Sequence, residues 1–504
     1  MWPFNKKKKQ GRAFNAAVYN RLVSDWVTAN TSADAELKGS LPTLRNRARD
    51  FGRNNDYVRE IYRQFQNNVV GEGIYFQAQV KMQRGKNLDV PKNDLIEKEW
   101  FRWCRKENCN VSGVLSFSDI QRLAVRSWVE SGEVIIRKIY QKFGNSKIPL
   151  ALEIIESDLL DDGYNARADN GNEIRFGIEL DQWKRPVAYY FFTSHPGDYQ
   201  SNSIESKSGR RMRVPASEII HLYTIERPGQ TRGFPHIVSA IMRLRHMQGY
   251  EEASVIAARA GAANMGFIET PDGQPSIADG IDAGDTITEF SPGVIKALGP
   301  GEKFSQSNFQ NPNGQFDPFM RAMLRAVASG CGIAYETISS DFSQSNYSSS
   351  RMAMIKERDN WRVLQKWFIA NFCQPIFEAW LDLGVLSGEL PLAGYEKNED
   401  AFTSVRWQPR GWAWIDPAKE VAANKEAVRG GFTTLTDVIA ASGGDIEDLF
   451  STRRRELDIA ESLDLIFDSD IANDNIGKDL PLEDEENKDD DNEKDVDKKK
   501  SKTN

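Results

Sequence analysis

The stretch ERPGQTRGFPHIVSAIMRLRHMQGYEEASVIAARAGAANMGF, Glu226 to Phe267, decides the architecture. It opens on a turn-rich segment, Arg227 to Pro235, and no proline follows until Pro271. Ile237, Ile241, Leu244 and Met247 recur at helical spacing, which predicts a long helix. Running from Pro235 to Ala263, it would extend roughly 43 Å. In its second half Ala253, Ser254, Ala257, Ala258, Ala260, Gly261, Ala262 and Ala263 leave little side chain on the surface. A neighbouring backbone can approach such a helix closely, a pattern that marks helix contacts in membranes. Arg243, Arg245, Glu251, Glu252 and Arg259 exclude a lipid span. An alanine-rich core helix of an enzyme fits the same segment.

Composition sets the bounds. The 504 residues allow two to four domains, and 40% hydrophobic with 27% charged residues is ordinary for a globular chain. Cys104, Cys109, Cys331 and Cys373 are too scattered for a disulfide framework and lack the paired spacing of a zinc site. The amino terminus, MWPFNKKKK, has no apolar run after its charges and does not read as a signal peptide; no stretch approaches a membrane span. Residues 1–60 carry 12 Lys/Arg against 6 Asp/Glu, and residues 483–504 carry 6 against 10. The body between them is therefore more acidic than the net charge of -8 suggests. A body of that sign does not read as a tight duplex binder, which needs basic patches to neutralise phosphates. It suits a mildly acidic cytosolic protein.

Helices are expected at Thr43–Phe51, after an Asn55 or Asp56 cap, at Asn93–Lys106, and after Ser116 or Ser118. Arg45, Arg47, Arg49, Arg53, Arg59 and Arg63 punctuate the first two; a solvated face or contacts to neighbouring subunits explain them better than a phosphate grip. Val134–Tyr140, Leu150–Ile155, Ile174–Leu180, Val187–Thr193 and Glu218–Tyr223 read as strands, with loops at 160–172 and 196–212. Even spacing without intervening helices favours antiparallel pairing. Short strands are expected at Pro292–Ile295 and Leu298–Glu302, and a helix at Phe316–Gly332. Arg351–Leu383 reads as a long helix broken near Phe372 by Pro375, with Trp361, Trp367, Phe368, Phe372, Phe377 and Trp380 in a core. Trp407, Trp412 and Trp414 read as a packed corner rather than a base-stacking platform. Asp416, Thr434 or Thr436, and Asp445 start the last helices.

Three segments carry a family likeness: ERPGQTRG (226–233), YEEA (250–253) and DFSQSNYSS (341–349). They resemble, in order, those of lambda-type bacteriophage portal proteins, and the likeness runs from about Leu44 to about Ser462. One departure is Lys184, where that family tends to have glycine in a turn. The resemblance implies a mixed α+β portal fold. Its parts are a flexible arm (1–40), a helical and antiparallel-β wing (41–225), a turn and long stem helix (226–266), a clip (267–312) and a second stem helix (313–333). A tunnel loop (334–350), a long helix returning to the wing (351–400), a helical crown (401–467) and a disordered charged tail (468–504) complete it.

By the same resemblance, the tunnel loop would present Asp341, Ser343, Gln344, Ser345, Asn346, Tyr347, Ser348 and Ser349 to the channel. Hydroxyls and amides suit a sliding backbone because they form weak hydrogen bonds and no fixed ion pair; serines that cap the next helix account for the same residues. The stems would carry Arg243, Glu251, Glu252, Ala257, Arg259, Arg321 and Arg325, and the clip Pro292, Gly293, Gly299 and Glu302. Implied partners are a dodecameric ring of this chain, double-stranded DNA, the terminase large subunit, major capsid and scaffolding proteins, and head–tail connector proteins, with no membrane. The place of action would be the portal vertex of the virion, and the host cytoplasm during assembly.

No catalytic or metal centre is expected, and no cofactor. A P-loop, Gly-x-Ser-x-Gly and His-Glu-x-x-His are missing from the sequence. Glu153, Glu156 and Asp158 could pose as paired carboxylates, but strand alternation puts Glu153 and Glu156 on opposite faces. A nucleic-acid-processing enzyme built on the 134–223 sheet, or a non-enzymatic head–tail adaptor ring, are the alternatives.

Overall fold

The computed structural model describes residue 21 and residues 28–82, 88–198, 211–262, 266–269, 303–306, 314–412, 417–442, 444–463 and 465, with side chains for all but 260–262, 266–269 and 303–306. The chain divides into two units, 1–417 and 418–504.

In the first unit, the helices Leu41–Asn54 and Asp56–Phe65 are separated by Asn55, whose side chain accepts from the Val58 amide. Val90–Trp103 and Phe117–Ser131 follow, the latter started by a capping box between Ser116 and Asp119. Their apolar stripes meet the far carboxyl-terminal helices in one core. Trp100, Trp103 and Phe117 pack with Phe76, Phe377 and Trp380 at ring separations of 4.5–6.1 Å. The long helix begins at Tyr347, earlier than Arg351, and runs to Phe368. A π-helical turn, Ile369–Cys373, then leads into Gln374–Leu386. Pro375 thus enters a first turn, where its missing N–H costs nothing, and the break expected near Phe372 is a local widening of the helix.

Among the described residues every sheet is antiparallel. Glu133–Ile139 lies between Ala151–Ile155 and Ile219–Tyr223. A second sheet has five strands in sequence order: Ala166–Arg167, Glu173–Arg175, Ile178–Leu180, Pro186–Phe192 and Arg211–Pro215. Two expectations need correcting. Ile174–Leu180 is not one strand: the chain turns at Phe176 (φ 48°) and Gly177 (φ 78°) and pairs Arg175 with Ile178. This is the left-handed pair of a tight hairpin, hidden in the sequence because phenylalanine rarely takes that conformation. Arg211–Pro215, at the end of an expected loop, pairs with Pro186–Phe192. Lys184, where glycine was the family expectation, indeed has φ 65°, and its Nζ stands 2.7 Å from Glu173.

Of the six arginines of the first two helices, Arg47, Arg53, Arg59 and Arg63 are exposed, but two are not. Arg45 is buried and bonds Glu133 at 2.5 Å; Arg49 pairs with Glu156 at 3.1 Å and with Asp158. They serve the inside of one chain, not a solvated face. Glu133 is wholly buried and accepts from Arg45, from Arg232 (2.5 and 2.8 Å), from His221 (3.0 Å) and from the Gly233 amide (2.8 Å). Two guanidiniums against one carboxylate leave an excess positive charge. Backbone carbonyls of Ser131, Ser157 and Phe176 absorb it. Burial alone would push the Glu133 carboxyl up, but Arg232, Arg45 and the His221 hydrogen bond outweigh it and hold it well below the usual range. Burial lowers the pKa of the His221 imidazole, against the opposing pull of Glu133.

This network closes the ERPGQTRG turn. Gln230 accepts from the amides of Glu226 and Arg227 and donates to the carbonyls of Thr224 and Arg232. Gly233 is required by contact: a Cβ there would lie 2.0 Å from the Gly132 carbonyl oxygen. The stretch 401–412, expected to open the terminal helical part, belongs instead to the first unit, where Val405–Gln408 pairs with Tyr75–Ala78. Trp407 donates to Gln374 at 2.7 Å and Trp412 to Asn68 at 3.1 Å, as a packed corner requires. Trp414 and Asp416 lie outside the described residues.

In the second unit, helices Ala418–Arg429 (continuing from Pro417), Leu435–Ala441 and Ile446–Ser462 are capped by Thr434 and Asp445. Ala460 is the one buried apolar residue among those described there, and Phe432 is 89% exposed.

Removing one partner of a buried, hydrogen-bonded ion network strands the others. Arg232→Met is therefore expected to cost about 3–5 kcal/mol in urea or thermal unfolding. Because the folded carboxyl of Glu133 titrates below its ordinary 4.5, its contribution is present above that pH and lost as pH falls below it. Glu133→Gln is expected to lower the Tm near neutrality and flatten its decline below about pH 4.5.

Candidate functional site

The helix of the opening stretch spans Ile241–Ala262, about 33 Å. It starts six residues later than Pro235 because the chain before it is used elsewhere. The His236 amide donates to Val129 at 3.0 Å and its Nε2 lies 3.2 Å from the Cys331 carbonyl, so Val238 and Ala240 close tight turns instead. Ile237, Ile241, Leu244 and Met247 are buried, as the spacing predicts.

The helix pairs antiparallel with Phe316–Cys331. At one end Gly330 faces Ser239. At the other, Tyr250 stacks on Phe316 at 5.6 Å and meets Phe319 at a tilt, 4.6 Å away. Tyr57 donates to Glu251 at 3.2 Å and ties the pair to the helix Asp56–Phe65. A two-stranded ribbon, Gly266–Glu269 with Lys303–Gln306, follows the first helix and precedes the second. The small-residue half of the first helix is not sealed within the chain. Ala253, Val255, Ile256, Ala258 and Arg259 are exposed, and Ser254 and Ala257 half-buried. Arg243, Glu252 and Arg325 are exposed too. Pro292, Gly293, Gly299 and Glu302 lie outside the described residues.

Beyond the second helix comes the polar segment. Its sequence looked like one loop from 334 to 350, but the structure leaves only a bend. Tyr335–Ser339 is a short helix ended by Ser340 at φ 53°, and Asn346 caps the next helix through the Ser349 amide. Tyr347, Ser348 and Ser349 therefore form a first helical turn. The segment does cap the next helix, but through Asn346 rather than a serine, with Ser349 completing the capping box from the third helical position. Asp341, Ser343, Gln344, Ser345 and Asn346 remain in the bend, with Phe342 55% exposed among them. Asp341 accepts from the Ser343 amide and from the Tyr335 hydroxyl, and hydrogen bonds from Ser343 draw its carboxyl down to about 2.

The sequence reading missed one cluster. Glu156, Asp158 and His195 bring ligand-type atoms within 4.8 Å of one another. His195 comes from a distant turn, so no spacing announces it. Arg49 already supplies a cation to both carboxylates, which makes this an ion-pair cluster.

Residues 19–365 match the model of "Phage portal protein, lambda family". The chain belongs to the lambda family of phage portal proteins. A probable portal protein of Halomonas phage phiHAP-1 is 32% identical over 458 residues, covering 89% of this chain and 87% of that one. Portal protein B of Escherichia phage lambda is 20% identical over 466 residues, covering 86% of each chain. Among solved structures, a chain from the neck of a native gene transfer agent particle, computed with C12 symmetry, aligns over 80% of this chain and 93% of its own at 13% identity and a TM-score of 0.41. The function of the protein is thus that of a portal of a phage head.

In this portal subunit the aromatic contacts of Tyr250 hold the two helices together. Tyr250→Ala is expected to cost about 1–3 kcal/mol, from two ring pairs. The loss is measurable as faster amide exchange across 241–262.

Proposed function

We propose that the portal acts as one subunit of a closed, dodecameric ring through which double-stranded DNA enters and leaves the capsid. The antiparallel helix pair stands around the axis as stems, and the bend at 340–346 lines the narrowest passage. The observation that carries this reading is the uncovered outer face of the pair. Met242, Val255 and Ile256 are each more than half exposed in the single chain, on a helix that buries Ile241, Leu244 and Met247 at its start. Cyclic closure needs two different, complementary faces per subunit, and small residues let such faces approach.

The segment between the stems, 267–312, is the clip, which docks the terminase large subunit during packaging and head–tail connector proteins afterwards. The second unit, from 418 onward, supplies the crown inside the capsid, beside major capsid and scaffolding proteins. The work is mechanical. The bend suits it because Ser343, Gln344, Ser345 and Asn346 offer hydroxyls and amides and no positive charge to arrest a moving phosphate backbone.

Mass measurement of the purified chain tests the ring. Particles of hundreds of kilodaltons with a central hole are expected, and a monomer or dimer at all concentrations refutes it. For the bend, Gln344→Glu with Ser348→Glu adds like charge beside the DNA path. The double variant is expected to assemble normally and to package less DNA; unchanged genome content counts against the placement.

A further inference from the structure

We propose that Asp341 moors the bend Ser340–Asn346 to the helix Phe316–Cys331, so that the position of that helix sets the position of the bend. The inference rests on the reading of the bend as channel lining and adds how the lining is controlled.

Asp341 is the only charged residue between Ser340 and Asn346. Its Oδ1 accepts from the Ser343 amide at 3.0 Å, which folds the bend locally. Its Oδ2 faces the two helices before the bend. It accepts from the Tyr335 hydroxyl at 2.9 Å and stands 3.5 Å from Nε of Arg321. One turn further along the same helix, the Arg325 guanidinium covers the Tyr335 ring at 5.3 Å. Two successive turns of Phe316–Cys331 thus hold the bend, one directly and one through Tyr335. A separate tether, Thr337 to the buried Glu357 at 2.9 Å, fixes the short helix Tyr335–Ser339 to the long helix Tyr347–Phe368. The bend is therefore slung between two helices.

Charge separates a mooring from a phosphate grip. Asp317, Arg321, Arg325, Glu336 and Asp341 carry three negative charges against two positive. A phosphate reaching Arg321 would have to displace carboxylates from both sides, so the cluster is a poor anion site. Arg321 is instead shared. Its Nε lies 2.9 Å from Asp317 on its own helix and 3.5 Å from Asp341. The two carboxylates compete for one guanidinium, which gives the contact two states whose balance a small movement of the helix can shift. Exposed pairs of this kind are individually weak, so release needs only modest force.

The test is amide hydrogen exchange across 340–346 in the purified full chain, with particle mass recorded for each variant. Asp341→Asn keeps an acceptor for the Ser343 amide but weakens the pull on Arg321. It and Arg321→Gln are each expected to speed exchange about 3–10-fold, and Asp317→Asn, which frees Arg321 for Asp341, to slow it about 2-fold. A merely structural side chain would not produce opposite signs from the two aspartates. Unchanged exchange in Asp341→Asn and Arg321→Gln, or faster exchange in Asp317→Asn, overturns the mooring. DNA content of particles assembled with Asp341→Asn separates the two claims. Faster exchange with altered content supports both; faster exchange with normal content upholds the mooring and overturns the channel reading.

Discussion

A single buried carboxylate decides how the first unit is joined. Glu133 opens the central strand of the three-stranded sheet and gathers Arg45 from the first long helix, Arg232 and Gly233 from the ERPGQTRG turn, and His221 from the neighbouring strand. Arg232 in turn reaches carbonyls at Ser157 and Phe176, which belong to the approach to the second sheet and to its hairpin. Buried charges tolerate little rearrangement, because each partner lost leaves another uncompensated. The turn that precedes the helix Ile241–Ala262 is consequently held by the three-stranded sheet behind it.

That held turn gives the helix pair its meaning. A helix that starts from a rigid turn and is pinned by Tyr57 and Tyr250 can hold one face outward without collapsing onto its own chain. Its exposed Val255 and Ile256 would be an oddity in an isolated molecule. The proposed ring would cover them with the next copy. The second unit makes the same point by composition: three short helices with almost no buried side chain among those described gain little from packing on one another.

The polar bend joins these themes. Its residues 343–346 are uncharged, while its one charge, Asp341, is turned toward Tyr335 and Arg321. A surface can be slippery toward a ligand and still held in place, provided that its holding charge is spent inside.

Much of this was legible in residue order. Helical stripes such as Val58, Ile61, Tyr62 and Phe65, the caps at Asn55, Ser116, Thr434 and Asp445, and antiparallel strand spacing follow from local periodicity and cap chemistry. The family, too, could be read from three short segments taken in order. What residue order did not disclose was pairing across distance. Arg45 and Arg49 looked like surface charges until the fold placed carboxylates beside them; the Phe176–Gly177 hairpin passed for one strand because a phenylalanine stands where a turn residue is usual. Tyr335 and Arg321 reach Asp341 only after two helices pack. Local sequence sets which shapes each segment can take, because those depend on neighbours a few residues away. The tertiary structure alone decides which charges are buried, since burial is a property of what the rest of the chain brings alongside.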